Sequence, residues 1–322
     1  MTIRYIVGLS LAAAVSMPLL AQAQDFTPTA ERILSDPAYL PLQGQFFGET
    51  GYGYERTNGN LFDATGAQTA TTRNTLNTIR QDFAYGITDA LSVNAGIAYG
   101  FEGQASENGV SSANRSGFDD PTFGLTYRLL DQRHRPVSLD IFGEFSPDAF
   151  QARSATNNQD GTVARGGSEA AFGLALGRET RFFTIRGAFT DRYFGDSSFL
   201  NATTGGSADT SSFWVPTLGV QTQTRFTDRL SANVGFDYNF EGTRNSVNTI
   251  SGVENTNHVG DTQNVNVSLN YHFVPNRLVG SIGYQHTFYG HSNESFPADP
   301  AKNTLLTRSS DGVGATLRYV FK

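Results

Sequence analysis

In several segments of this chain, polar side chains alternate with apolar ones, and some of the polar side chains are charged. Between Leu230 and Glu241 the even positions are apolar or aromatic, whereas Asp237 and Glu241 lie among the polar odd positions. Acids and arginines on one face can pair with each other, order water and select polar solutes. The same alternation places twelve residues on the polar faces: Arg80, Asp82, Glu102, Arg128, Asp140, Glu144, Arg186, Arg225, Asp237, Glu241, His272 and Arg318.

These charges allow two interpretations. Opposed acids and arginines could form a selective constriction. They could instead form a network of salt bridges that fills a narrow interior. We favour the network, because acids and arginines nearly balance on these faces and buried charges must be paired.

Catalysis has weaker support in the sequence. Histidines are natural general bases, and His291 precedes Ser292, but adjacent strand residues point to opposite faces. The chain has no cysteine, so thiolate metal sites and disulfides are excluded. It shows no phosphate-binding glycine loop and no spaced metal cluster, and we predict no enzyme activity and no cofactor. The net charge of −7 argues against nucleic acid as a partner.

The elements that carry these residues are strands with a period of two. The segment from Leu230 keeps strict alternation for twelve residues, which is long enough to cross a bilayer at a barrel tilt. Similar segments open after short turns at intervals of 45 to 49 residues, and each repeat has room for two strands. Six hairpins predict twelve antiparallel strands, with ten or fourteen as alternatives. The openings lie near Leu42, Leu91, Val137, Phe182, Leu230 and Leu278.

The first 23 residues have the features of a cleaved export signal. Arg4 supplies the positive charge, Ile6 to Leu20 the apolar region, and Ala21-Gln22-Ala23 the cleavage site. Together with the strands, this signal predicts an all-β fold: a transmembrane antiparallel β-barrel in the cell outer membrane, with short periplasmic turns and long extracellular loops. The predicted loops lie at about 57–73, 104–116, 151–165, 196–209, 243–261 and 291–309. A propeller would need four short strands per repeat. A soluble sandwich would turn the apolar faces inward.

Two terminal segments complete the domain organisation. We predict that residues 24–41 form a periplasmic segment, either a short helix or plug in the barrel mouth or a loosely ordered leader. The leader is the favoured alternative, and the barrel is predicted to cover residues 42–322. The alternation from Val313 to Phe321 resembles the terminal signal read by the barrel-assembly machinery, which makes that machinery an expected partner. Lys322 follows the aromatic residue that usually ends this signal.

A short motif near the middle of the chain resembles one known family. The stretch from Gly117 to Leu130, GFDDPTFGLTYRLL, is similar to a strand of the putative MetA-pathway phenol-degradation proteins, a group of proteobacterial outer-membrane barrels. Asp119 stands where that family often has glycine, and Asp120 matches its acid. The resemblance implies a porin-like or transporter-like barrel that moves small, often hydrophobic compounds, and it carries over no catalytic residue.

The sequence therefore predicts an outer-membrane channel for passive passage or binding of small, hydrophobic or aromatic compounds. One alternative is a closed structural or surface-interaction barrel. A second is a lipid-modifying outer-membrane enzyme. Expected partners are outer-membrane lipids and lipopolysaccharide, and a small-molecule solute. The identity of that solute and the oligomeric state do not follow from the residues.

Overall fold

A computed structural model describes residues 34–156, 159–180 and 182–321. The export signal and residues 24–33 of the N-terminal segment lie outside the described residues. Nineteen strands and one short 3-10 helix, η1 (Pro300–Lys302), are present in the described chain. The strands are β1 (Phe46–Phe62), β2 (Gln68–Gly86), β3 (Leu91–Glu107), β4 (Val110–Phe118), β5 (Thr122–Leu130), β6 (Ser138–Ser146), β7 (Ala152–Arg153), β8 (Glu169–Glu179), β9 (Phe183–Phe194), β10 (Ser197–Leu200), β11 (Ser207–Thr210), β12 (Phe213–Arg225), β13 (Leu230–Asn239), β14 (Thr243–Asn248), β15 (Glu254–His258), β16 (Thr262–Val274), β17 (Leu278–Tyr289), β18 (Ser292–Ser295) and β19 (Thr304–Phe321).

Twelve of these strands form one closed antiparallel barrel, as predicted. The order around the wall is β1, β2, β3, β5, β6, β8, β9, β12, β13, β16, β17 and β19. β19 then pairs with β1 over its full length, so the barrel has no free edge. β4 continues the line of β5 beyond a break at residues 119–121, and both pair with β3.

The wall is apolar on the outside and polar on the inside. On β17, Ile282 is 64% exposed on the outer face, whereas Val279 on the inner face is fully buried. On β8, Phe172, Leu174 and Leu176 are each at least 50% exposed. A soluble sandwich would bury such side chains, so the outer face is the surface that meets lipid. Among the described residues, no helix is long and apolar enough to span a membrane.

The two ends of the barrel differ in their connections. At one end, short segments follow β2, β5, β8, β12 and β16, and we take this as the periplasmic end. At the other end, residues 57–73 and 104–116 were predicted as loops, but they are mostly strand, with tight turns at 63–67 and 108–109. β10, β11, β14, β15 and β18 extend the wall further outward on one side. Backbone pairing continues there without apolar alternation, because both faces are hydrated.

Candidate functional site

Arginines and acids pair inside the periplasmic half of the barrel. Arg128 on β5 lies opposite Asp140 on β6, and the Nε–Oδ1 distance is 2.7 Å. Both side chains are at most 5% exposed. The Arg186 guanidinium approaches the other oxygen of Asp140 at 3.6 Å. One buried carboxylate therefore compensates two cations, as a lumen-filling network requires.

Residues 34–40, which we call the inner plug, lie inside this half of the barrel. Leu34 is 1% exposed and Ser35 is fully buried. The Ser35 hydroxyl lies 2.9 Å from Nε2 of His272 on β16, and the Ser35 carbonyl accepts a hydrogen bond from Gln223 on β12 at 2.8 Å. The polar groups of residues 34–40 thus find partners on several strands, whereas residues 24–33 of the predicted segment lie outside the described residues.

The plug is also held by charge. Asp36 accepts hydrogen bonds from Arg225 at 2.9 Å and from the Thr184 hydroxyl at 2.7 Å. Arg128 donates to the Ala38 carbonyl at 2.6 Å, and Arg186 donates to that of Pro37 at 2.9 Å. Three lumen arginines thus fasten the inner plug to the wall. A plug so fastened narrows the periplasmic end of the lumen.

A cavity of about 500 Å³ lies beside the plug, and Tyr39 and Leu40 form part of its lining. Its wall includes Glu49, Glu144 and Asp237. Glu49 pairs with Arg318 on the neighbouring strand β19. Glu144 and Asp237 have no cationic partner within 4.0 Å among the described residues. The cavity lining holds five acids and two arginines, Arg186 and Arg318, so acids outnumber cations in the middle of the lumen.

The remaining predicted residues divide between the lumen and the outside. Arg80 and Asp82 pair within β2 at 2.7 Å, and Glu241 pairs with Arg244 at 2.6 Å in the extracellular half.

Glu102 does not face the lumen as predicted. Its φ is +50°, the register of β3 shifts beside it, and its carboxylate accepts a 3.4 Å hydrogen bond from Asn77 on the outer face of β2. The β-bulge re-aims this side chain, because an inserted residue breaks the two-residue alternation.

Several functional residues escaped the sequence analysis. Glu49 and Gln223 share the inward parity of predicted neighbours, so alternation could have found them. Thr184 also points into the lumen. It is uncharged, and it is fully buried beside Asp36. Ser35 and Asp36 precede the first strand, and no periodic signal marks them. Their position depends on chain segments that are far away in sequence.

Metal and histidine chemistry find little support in the lumen. No group of three or more His, Cys, Asp or Glu side chains suited to a metal ion occurs in the described part of the chain. His286 lies on the outer face of β17, where its Nδ1 is 2.8 Å from Asp311 on β19. Asp311 also accepts a hydrogen bond from Tyr284 at 2.5 Å. This pair faces away from the lumen and serves no lumen chemistry.

The closed wall, the apolar outer surface and the charged interior define an outer-membrane β-barrel of twelve strands. Among solved structures, an outer-membrane channel from Pseudomonas putida F1 is similar, with a TM-score of 0.57 over 89% of this chain and 99% of that one. At 14% sequence identity, this similarity concerns the fold. No known family profile matches this chain, and no curated protein matches it.

Two further structures are more distant. The toluene transporter TodX of P. putida is 11% identical, with a TM-score of 0.47 over 89% of this chain and 93% of that one. The outer-membrane protease OmpT of Escherichia coli is 9% identical, with a TM-score of 0.40 over 88% of this chain and 99% of that one. Neither similarity is strong enough to carry an argument about this chain.

Proposed function

We propose that this chain forms an outer-membrane channel through which small molecules pass, or in which they bind. The observation that carries the proposal is the cavity of about 500 Å³ that lies inside the barrel beside the inner plug. A barrel that served only as a rigid shell would need neither this cavity nor uncompensated carboxylates around it. Hydrophobic or aromatic compounds are the candidate solutes, on the resemblance to the MetA-pathway family.

Transport would be passive and limited by the plug. A solute that enters from outside meets the mid-lumen cavity first and then the inner plug, residues 34–40. Glu144 and Asp237 attract cations to the cavity, whereas Arg128, Arg186 and Arg225 neutralise the plug end. Passage of anything larger than a small ion requires the plug to move, because its polar groups are bonded to the wall.

The proposal assigns no catalytic step to the chain. For a lipid-modifying enzyme, the outer face offers the pair of His286 and Asp311, whereas His272 in the lumen is the hydrogen-bond partner of Ser35. Outer-membrane lipids, lipopolysaccharide and, through β19, the barrel-assembly machinery remain proposed partners. They follow from the outer surface and the terminal strand and do not depend on channel activity.

Planar bilayer recording tests the proposal. Purified protein is reconstituted across a KCl gradient, and folding is verified by heat-modifiable migration. Stepwise conductance is the expected result, and the reversal potential reports which charges dominate. Liposome swelling with sugars, amino acids and small aromatic compounds then ranks the solutes. If a folded barrel shows neither conductance nor liposome swelling, this result would contradict a channel and would favour the closed structural barrel.

A further inference from the structure

Arginines of the two halves of the lumen differ in their partners. In the periplasmic half, Arg128, Arg225 and Arg318 each lie within salt-bridge distance of a carboxylate. In the extracellular half, Arg165 and Arg308 have no carboxylate within 4.0 Å among the described residues. Unpaired guanidinium groups are costly unless water or a ligand compensates them. Arg165 donates to backbone carbonyls, whereas no hydrogen bond of the Arg308 guanidinium occurs among the described residues, so Arg308 is the cation whose donors are available.

Arg308 is half-buried and lies beside an aromatic ring. Its guanidinium carbon lies 4.7 Å from the centroid of the Tyr289 ring, and its Nε is buried without a hydrogen-bond partner. It also lines a cavity of about 620 Å³, together with Thr72, Ser106 and Thr307. Stacking on a ring uses the face of the guanidinium plane and leaves the in-plane N–H donors free. Those donors match the two oxygens of a carboxylate.

Arg165 is the second arginine without a carboxylate partner in the described residues. Its guanidinium carbon lies 4.3 Å above the Phe194 ring, and its hydrogen bonds to backbone carbonyls are 3.3 to 3.4 Å long. Burial lowers the pKa of this guanidinium from its usual range, which reflects an incompletely compensated charge. Arg244 lies over the neighbouring Phe213 ring at 4.2 Å, but it is paired with Glu241.

We propose that Arg308, stacked on Tyr289, binds the oxyanion group of a small organic anion in the extracellular vestibule. A carboxylate fits the guanidinium fork, and a phosphate offers the same oxygen geometry. Of the hydroxyl groups in the cavity lining, that of Thr72 lies on the same inner face as Arg308, where both side chains flank Gly59, and it can donate to such oxygens. The inference rests on the proposed function, since it names a class of solute for the same lumen. It identifies an anion as a solute that the net charge of −7 would otherwise disfavour.

Benzoate, benzyl alcohol and inorganic phosphate serve as the three probes in planar bilayers. Benzoate should reduce the current through the wild-type channel, whereas benzyl alcohol, with the same ring and no charge, should not. Arg308→Gln should raise the blocking concentration of benzoate by roughly tenfold or more, which corresponds to about 1.4 kcal/mol. Arg308→Lys keeps the charge without the planar fork, so it should recover only part of this loss. Phosphate that blocks as well as benzoate assigns the site to oxyanions in general, and weaker block assigns it to carboxylates.

A matched control removes the same charge elsewhere. Arg277 lies in an exposed turn at the periplasmic end. The Arg277→Gln variant should be blocked by the same benzoate concentration as the wild type. The proposal is overturned if Arg308→Gln and Arg277→Gln give the same blocking concentration as the wild type, or if benzyl alcohol blocks as well as benzoate. If the folded wild-type barrel carries no current, the channel itself fails. Calorimetric titration of benzoate into the detergent-solubilised protein then tests the site independently, and equal binding by wild type and Arg308→Gln overturns it.

Discussion

Replacing Asp36 with alanine should release the inner plug. The Asp36 carboxylate accepts hydrogen bonds from Arg225 at 2.9 Å, from Thr184 at 2.7 Å and from the Ala38 N–H at 2.7 Å. Its side chain is 4% exposed and that of Arg225 is 12% exposed, so water screens the pair little. Loss of the carboxylate leaves a buried cation that must find other partners.

The size of the effect follows from those contacts. Removal of one partner from a buried ion pair costs about 3–5 kcal/mol. Arg225 also contacts Glu179 at 3.0 Å, and this second carboxylate keeps part of the compensation, so we take the lower end of the range. If this loss falls mainly on the plugged state, about 3 kcal/mol raises the displaced fraction on the order of 100-fold.

Single-channel recording measures that fraction directly. The Asp36→Ala variant should open more often, or to a higher conductance level, than the wild type. Asp36→Asn keeps the shape and removes the charge, so it should give an intermediate effect. Asp228→Ala in an exposed periplasmic turn is the control, because it removes an acid of the same end that has no hydrogen bond or ion pair with the plug among the described residues. If folded Asp36→Ala has the conductance and gating of Asp228→Ala, then Asp36 does not hold the plug and our reasoning about it is wrong.

Two further predictions concern stability. Asp140→Ala removes the carboxylate shared by Arg128 and Arg186, and we expect urea unfolding to show a loss of about 3–5 kcal/mol; an unchanged midpoint would mean that water replaces the carboxylate. Ile282→Arg places a charge on the lipid face, where about 2–4 kcal/mol should be lost near the bilayer midplane. Gln285→Arg, on the inner face of the same strand, should refold like the wild type, and equal losses for the two variants would contradict our assignment of the faces.

Strand alternation made most of the wall predictable. The segments from Leu91 and Leu230 begin strands β3 and β13 at those residues, because a one-residue shift would turn a whole apolar face away from lipid. Alternation fails where this constraint ends. The predicted loops at 57–73 and 104–116 are mostly paired strand, because polar sequences outside the membrane can pair through the backbone alone.

Predictions for individual sites were less complete. Parity identified the inward charges such as Asp140 and Arg318, but it assigned Glu102 to the wrong face, because a β-bulge is a feature of two paired strands rather than of one sequence. Parity also could not say which acid meets which arginine. Arg128 and Asp140 are opposite each other in the register of β5 and β6, and that register depends on closure of the whole sheet.

The sequence by itself determined the class of structure: a two-residue period sorts side chains between lipid and lumen wherever the chain is extended. Tertiary structure alone decided what the lumen contains. Ser35 and Asp36 reach partners on β9, β12 and β16, which lie nearly 150 or more residues further along the chain. Unpaired Arg308 is likewise visible only once the strands around it are closed. Local periodicity reflects whether each face of a strand meets lipid or the lumen. Contacts across the lumen arise only when the barrel brings distant strands together.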